Sequence, residues 1–204
     1  MVLISEKLDG GGDIPVPTPV VGQGLAIFTS AHGRLRPIRT IRLEAHGDIT
    51  PKDSAPAIPN DPPGQPFNPR MGDTTSPKAG STNAAIVWSY PRQGDYLQTP
   101  IVVGNHVYGC SDNGVLTCFD LTTGAIRYSE RLGNSREGFS ASPVSDGRHL
   151  YFTSEVGQVY VLPATDQFSV LATNTLGAIC MATPIVADGV LYFRTRDQVL
   201  AIGP

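Results

Sequence analysis

Several groups of side chains in this 204-residue sequence have the types and spacing that chemistry uses. The densest is SDNGVLTCFDLTTG, residues 111–124, which gathers Asp112, Asn113, Asp120 and four hydroxyls. Hard cations take carboxylate and carbonyl oxygens, so one reading is a cation loop. The other is two tight turns around one short strand, with Asp120 accepting from backbone amides two or three residues on. GFSAS, residues 138–142, approaches the G-x-S-x-G elbow that exposes a nucleophilic serine. Its last glycine is replaced by Ser142 and no helical pattern follows, so Ser140 is expected to be structural. His32, His46, His106 and His149 have no partner at ligand spacing. Cys110, Cys118 and Cys180 form no metal-binding pair and are expected to be small buried hydrophobes. A bridge between Cys110 and Cys118 stays open if the compartment is oxidising. GRLRPIRTIR, residues 33–42, carries Arg34, Arg36, Arg39 and Arg42, and ERLGNSREGF, residues 130–139, adds Arg131 and Arg136. A solvated strand face accounts for the first group. Together the six are the candidate patch for a protein or peptide partner. No catalytic, cofactor-binding or metal-ligating residue is assigned.

The elements that must position these groups are short and separated by turns. Gly (22) and Pro (18) are abundant, as suits many strands joined by tight turns. No stretch holds a helical period. Net charge is −3, which gives no basic footprint for nucleic acid. No apolar run has the length of roughly 18 residues that a membrane helix needs. The start, MVLISEKLDGGGD, is too short and too early in its charges for a secretory signal. Either the protein stays in the cytoplasm, or the chain has lost its natural start.

An internal repeat organises the chain. Thr18, Thr99, Ser142 and Thr183 each precede a proline, and the last three are spaced 43 and 41 residues apart. Nine residues on lie Ile27, Tyr108, Tyr151 and Tyr192. Ten on lie Phe28, Gly109, Phe152 and Phe193. Fifteen on lie Gly33, Gly114, Gly157 and Gln198, and seventeen on lie Leu35, Leu116, Val159 and Leu200. His106 and His149 share offset 7 and so belong to this framework. Each copy reads as strands parted by Gly, Asn-Gly or Asp-Gly turns. A four-stranded antiparallel unit recurring near 42 residues marks a β-propeller blade. The expected fold is an all-β propeller of about four such blades in one domain, residues 1–204. Residues 48–82, with eight prolines in 35 residues, are expected to be a surface loop between the third and fourth strands of the first blade. VLISEKL, residues 2–8, is expected to be a spare strand pairing with a terminal strand, matching a last blade of three. The ring then closes with four blades, or continues in a longer one.

GVLTCFDLTTGAIRY, residues 114–128, resembles the repeat of the pyrroloquinoline-quinone (PQQ)-like propellers at Gly114, Asp120, Thr123 and Gly124, with Tyr128 where that repeat has tryptophan. The strand starts at 99–108, 142–152 and 183–193 resemble it too, whereas LPATDQ, residues 162–167, lacks Thr-Gly. The resemblance implies a partial ring, the C-terminal half of one with seven or eight blades. It implies a bacterial, exported, periplasmic protein, with the cytoplasm left open by the missing signal. The family includes BamB-type scaffold lipoproteins and quinoprotein dehydrogenases. The enzymes hold PQQ with calcium beside adjacent cysteines and a stacking tryptophan. This chain has no adjacent cysteines and one tryptophan, Trp88, in an outer strand where it is expected to dock between blades. The expected function is therefore a non-enzymatic, cofactor-free scaffold binding a protein or peptide, with the missing half of the ring or a second copy as further partners. The alternatives are a fragment of a PQQ-dependent dehydrogenase and a propeller binding a small ligand or sugar.

Overall fold

Hairpin turns set the register of every blade. Gln23 (φ 48°) and Gly24 (φ 77°), and Asp188 (φ 51°) and Gly189 (φ 75°), place both central turn residues at positive φ, the geometry that matches strand twist. A computed structural model describes residues 4–5, 16–31, 36–49, 84–90 and 92–204. Blade 1 comprises β2 (Val20–Gly22), β3 (Leu25–Thr29), β4 (Ile38–Arg42) and β6 (Ile86–Tyr90). Blade 2 comprises β7 (Ile101–Val103), β8 (His106–Cys110), β9 (Val115–Asp120) and β10 (Ile126–Arg131). Blade 3 comprises β11 (Val144–Ser145), β12 (His149–Thr153), β13 (Gln158–Pro163) and β14 (Ala172–Thr175), and blade 4 comprises β15 (Ile185–Ala187), β16 (Val190–Arg194) and β17 (Val199–Ile202). Neighbours within each blade are antiparallel, and the described residues form no helix. The inner strands β2, β7, β11 and β15 lie beside one another in that order.

The offset-9 column of the repeat holds in three dimensions, whereas the third strand of blade 1 starts only at Ile38, and Gly33 and Leu35 lie outside the described residues. Ile27, Tyr108, Tyr151 and Tyr192 each take the third place of a second strand, opposite Val20, Ile101, Val144 and Ile185 respectively. Faces of successive blades pack together. Ile27 and Trp88 of blade 1 meet Val107 and Phe119 of blade 2. Tyr108 and Leu116 of blade 2 meet Phe152 and Tyr160 of blade 3. Val159 of blade 3 meets Phe193 of blade 4.

Two expectations are corrected. The N-terminal strand is β1 (Ile4–Ser5), but it pairs in parallel with β5 (Gly47–Asp48), not with a terminal strand. It therefore does not complete blade 4, and among the described residues the four sheets leave an open arc. The stretch FSVLATN, residues 168–174, reads as the fourth strand of blade 3, but that strand starts only at Ala172. Phe168 is drawn instead against Tyr128 of blade 2, ring centres 5.5 Å apart. The proline-rich stretch lies almost wholly outside the described residues. The strands flanking it, β4 and β6, are paired with each other.

Candidate functional site

The SDNG turn of blade 2 is built from its own oxygens. Ser111 carbonyl accepts from Gly114 N–H at 2.8 Å, Ser111 Oγ donates to Asn113 Oδ1 at 2.6 Å, and Val115 N–H donates to Ser111 Oγ at 3.1 Å. Gly114 is needed here on two counts. Its φ is +80°, and a Cβ would sit 2.6 Å from the Phe139 ring on the segment crossing to blade 3. The second turn uses Asp120, whose Oδ1 accepts from the amides of Thr122 (3.1 Å) and Thr123 (2.9 Å) and the Thr122 hydroxyl (2.8 Å). Its Oδ2 accepts from Arg127 Nη2 at 2.7 Å. Burial alone pushes this carboxyl up, but the Arg127 guanidinium and these donors hold it well below the ordinary range. The oxygens that suggested a cation loop are thus committed to turns.

A cleft opens at the seam of blades 1 and 2 beside the first turn. Arg36 and Arg92 form a parallel bridge, and Gly94 N–H donates to Arg36 carbonyl at 2.6 Å. Arg36 Nη1 lies 3.8 Å from Asp112 Oδ1, and Arg131 Nη1 donates to Asn113 carbonyl. Two arginines separated by 95 positions in sequence thereby meet one turn. Below them lies Asp95, buried, its N–H donating to Thr29 Oγ1 at 2.8 Å. Its Oδ2 has no hydrogen-bond partner. Burial, then the charge of Asp112, pushes the Asp95 carboxyl up to about 8 against the pull of Cys110 N–H. Near neutral pH it is mostly protonated. The cleft holds only about 20 Å³, room for a water. Larger partners would engage its rim, where guanidinium donors suit carboxylate or carbonyl groups.

The remaining candidates scatter. Arg39 is half-buried in β4, opposite Phe28 and Ser89, and desolvation lowers its pKa. Arg42 lines a separate cavity of about 280 Å³ with Glu44 and His46. Arg136 is exposed on the crossing segment, its amide donating to Asn134 Oδ1 at 2.9 Å. Arg34 and His32 lie outside the described residues. His106 and His149 each open a second strand, and His149 Nδ1 lies 2.9 Å from Asp146 Oδ2. Ser140 Oγ donates to Glu155 Oε1.

The three cysteines are buried and free. Cys118 stands opposite Tyr108 and Cys110 opposite Leu116, so the two are out of register for a bridge. Burial pushes Cys118 up to about 12 and Cys110 well above its ordinary value, leaving both thiols protonated.

Asp95 and Arg92 were not among the residues singled out from sequence. The signal that points to Asp95 is the break in the offset-10 column. Three copies carry phenylalanine there and the second carries Gly109. A Cβ on Gly109 would sit 2.6 Å from Asp95 Oδ2, so the acid occupies space that the missing ring vacates.

Trp88 is enclosed on the side toward blade 2. Its ring stacks on Phe119 (5.6 Å, 19°) and meets Tyr90 edge-on, and a Cβ on Gly124 would reach to 2.5 Å of its Cγ. Its Nε1 donates to Leu121 carbonyl at 2.8 Å. No ring face is left for a ligand. The described residues offer no cluster of three or more His, Cys, Asp or Glu that could hold a metal. They do not fit PQQ with calcium.

No family model matches the chain. By sequence it is 30% identical over 97 residues to the outer membrane protein assembly factor BamB of Salmonella typhimurium, a stretch covering 44% of this chain and 24% of that protein. The match therefore spans about a quarter of that relative's length. By structure, BamB from Moraxella catarrhalis superposes with a TM-score of 0.58 at 14% identity, over 91% of this chain and 41% of that one. The quinohemoprotein alcohol dehydrogenase ADHIIG from Pseudomonas putida gives 0.58 at 13% identity, over 95% and 30%. Blade structure, strand register and these likenesses agree: the chain has the fold of the PQQ-like β-propellers, its described residues forming an open arc of four blades.

Proposed function

We propose that the chain is a non-enzymatic propeller scaffold that presents the rim of the seam between blades 1 and 2 to a protein or peptide partner. The observation that carries this reading is the convergence of Arg36 and Arg131 on the SDNG turn, above the buried Asp95. Guanidinium forks favour carboxylate and backbone carbonyl groups. Arg136, exposed on the segment crossing to blade 3, offers a further cation to such a partner. The likeness to an outer membrane protein assembly factor supports a protein partner and an exported, periplasmic setting. No helix of the described residues is long and apolar enough to cross a membrane. The scaffold needs no cofactor.

The test is a displayed random-peptide library panned on the immobilised protein, with an Arg36→Glu/Arg136→Glu double variant as control. Enrichment of acidic or extended peptides that bind the double variant at least tenfold more weakly supports the reading. No enrichment, or equal binding by the double variant, counts against it. Titration with PQQ and calcium tests the dehydrogenase alternative in parallel. Saturable binding with oxidation of a primary alcohol would replace the scaffold reading with an enzymatic one.

A further inference from the structure

The three seams inside the chain share one oriented contact. Thr18 N–H donates to Thr99 Oγ1 at 3.0 Å, Thr99 N–H to Ser142 Oγ at 2.9 Å, and Ser142 N–H to Thr183 Oγ1 at 3.1 Å. These are the Thr-Pro and Ser-Pro positions of the repeat. Each time an amide of one blade donates to the hydroxyl of the next, so the ladder has polarity. Among the described residues it has no further rung. Blade 1 ends it with the Thr18 hydroxyl as an acceptor, and blade 4 ends it with the Thr183 amide as a donor. Both residues are exposed. One end is the complement of the other.

The sheet faces at the two ends match in the same way. The row Ile27, Tyr108, Tyr151 points toward the following blade at each internal seam. Its fourth member, Tyr192, is 38% exposed, flanked by Ile185 at 61% and Val199 at 71%. In the column facing the preceding blade, Phe152 and Phe193 are fully covered, whereas Phe28 of blade 1 is 36% exposed beside Val21 at 64%. Each end is half of a seam of the kind found three times within the chain. Apolar side chains clustered in this way mark an interaction surface.

We propose that the outer faces of blades 4 and 1 form a fourth seam between two copies of this chain, joined head to tail. Closure within one copy would cover Ile185, Val199 and Val21, which are exposed. A second copy supplies both missing halves at once. The relation repeats at the other junction, so two arcs close by a twofold axis into one ring. The arc superposes on 41% of a longer chain. This inference is independent of peptide binding at the first seam.

Sedimentation equilibrium of the 204-residue chain tests it, with a mass of twice 21.7 kDa expected. Val199→Asp should weaken self-association at least tenfold while the far-ultraviolet spectrum of the folded chain stays unchanged. Val170→Asp, on an exposed residue of the internal blade 3, should leave it unchanged. Orientation is read by mixing a Thr18→Cys copy with a Thr183→Cys copy under mild oxidation, the native cysteines being buried. A disulfide between unlike copies is expected. A monomer, an open series of larger oligomers, or cross-linking of Thr183→Cys with itself would overturn the proposal. Peptide binding retained by a monomeric chain would leave the scaffold reading standing.

Discussion

The seam between blades 1 and 2 and the seam between blades 3 and 4 are built from the same repeat, yet the first is locked and the last is loose. One cross-strand row shows why. Ile27, Thr40 and Trp88 stand abreast in blade 1, as do Tyr108, Cys118 and Tyr128 in blade 2, and Tyr151, Val161 and Ala172 in blade 3. The outer-strand residue shrinks along that series from tryptophan through tyrosine to alanine. Trp88 reaches across to the Thr-Gly turn of blade 2 and donates to Leu121 carbonyl, while Tyr90 OH donates to Gly124 carbonyl at 2.7 Å. Tyr128 finds no Thr-Gly turn in blade 3 and packs on Phe168. Ala172 reaches nothing, and all four residues of β14 are exposed. The docking aromatic is thus kept in blades 1 and 2 and lost in blade 3.

The largest effect should come from breaking the locked seam. Trp88→Ala removes a fully buried indole and strands the Leu121 carbonyl, so it should cost about 3–5 kcal/mol. Urea unfolding would show this as a lower midpoint. Ala172→Gly, at the equivalent place, should cost under about 1 kcal/mol. Equal losses at both places would mean that the two seams are held alike. Native-state hydrogen exchange extends the contrast: amides of β16 and β17 should exchange before those of β8 and β9.

A pair of glycines separates backbone strain from seam packing. Gly124 and Gly177 share a φ of +72°, but a Cβ on Gly124 would meet Trp88 at 2.5 Å while one on Gly177 meets nothing within 4 Å. Alanine at Gly177 should cost only the left-handed strain, about 1–2 kcal/mol. Alanine at Gly124 should add about 1–3 kcal/mol of overpacking. Two equal midpoint shifts would show that Trp88 yields freely.

Asp95 gives the first seam a pH dependence. Its carboxyl rises from an ordinary 3.8 to about 8 on folding. The folded state therefore holds a proton that the unfolded chain has lost. Between about pH 4 and pH 8 stability should fall as pH rises, and it should level off above that range. Asp95→Asn should flatten this slope, with little difference from the native protein near pH 4 and a higher melting temperature at pH 8. An unchanged slope would assign the titration to another group.

The register of the second strands was legible because the offset-9 column recurs in all four copies, and that recurrence outweighs local ambiguity in any one strand. Trp88 was legible as a docking aromatic from its place in an outer strand. What escaped depends on contacts between segments that the repeat does not relate. β14 starts late because Phe168 answers to Tyr128 of the neighbouring blade. β1 pairs with β5, which lies in the insert peculiar to blade 1. Asp95 was hidden because its environment is a vacancy at Gly109, and only the exception within its column announces it. Arg36 and Arg131 were each visible as cations, but their meeting at one turn is a product of blade stacking.

The smallest effect compares two tyrosines on the outer strands. Tyr90 OH donates to Gly124 carbonyl, whereas Tyr128 OH is buried with no partner. Phenylalanine at position 90 should cost about 1 kcal/mol, since it deletes a hydrogen bond and leaves the carbonyl unanswered. Phenylalanine at position 128 should be neutral or stabilising by about 1 kcal/mol, because it removes a polar atom that folding desolvates without return. Parallel urea titrations at pH 7 would resolve the opposite signs. Destabilisation at both positions would mean that the second seam, like the first, places a partner within reach of its tyrosine hydroxyl, and the gradient from locked to loose would then begin only at Ala172.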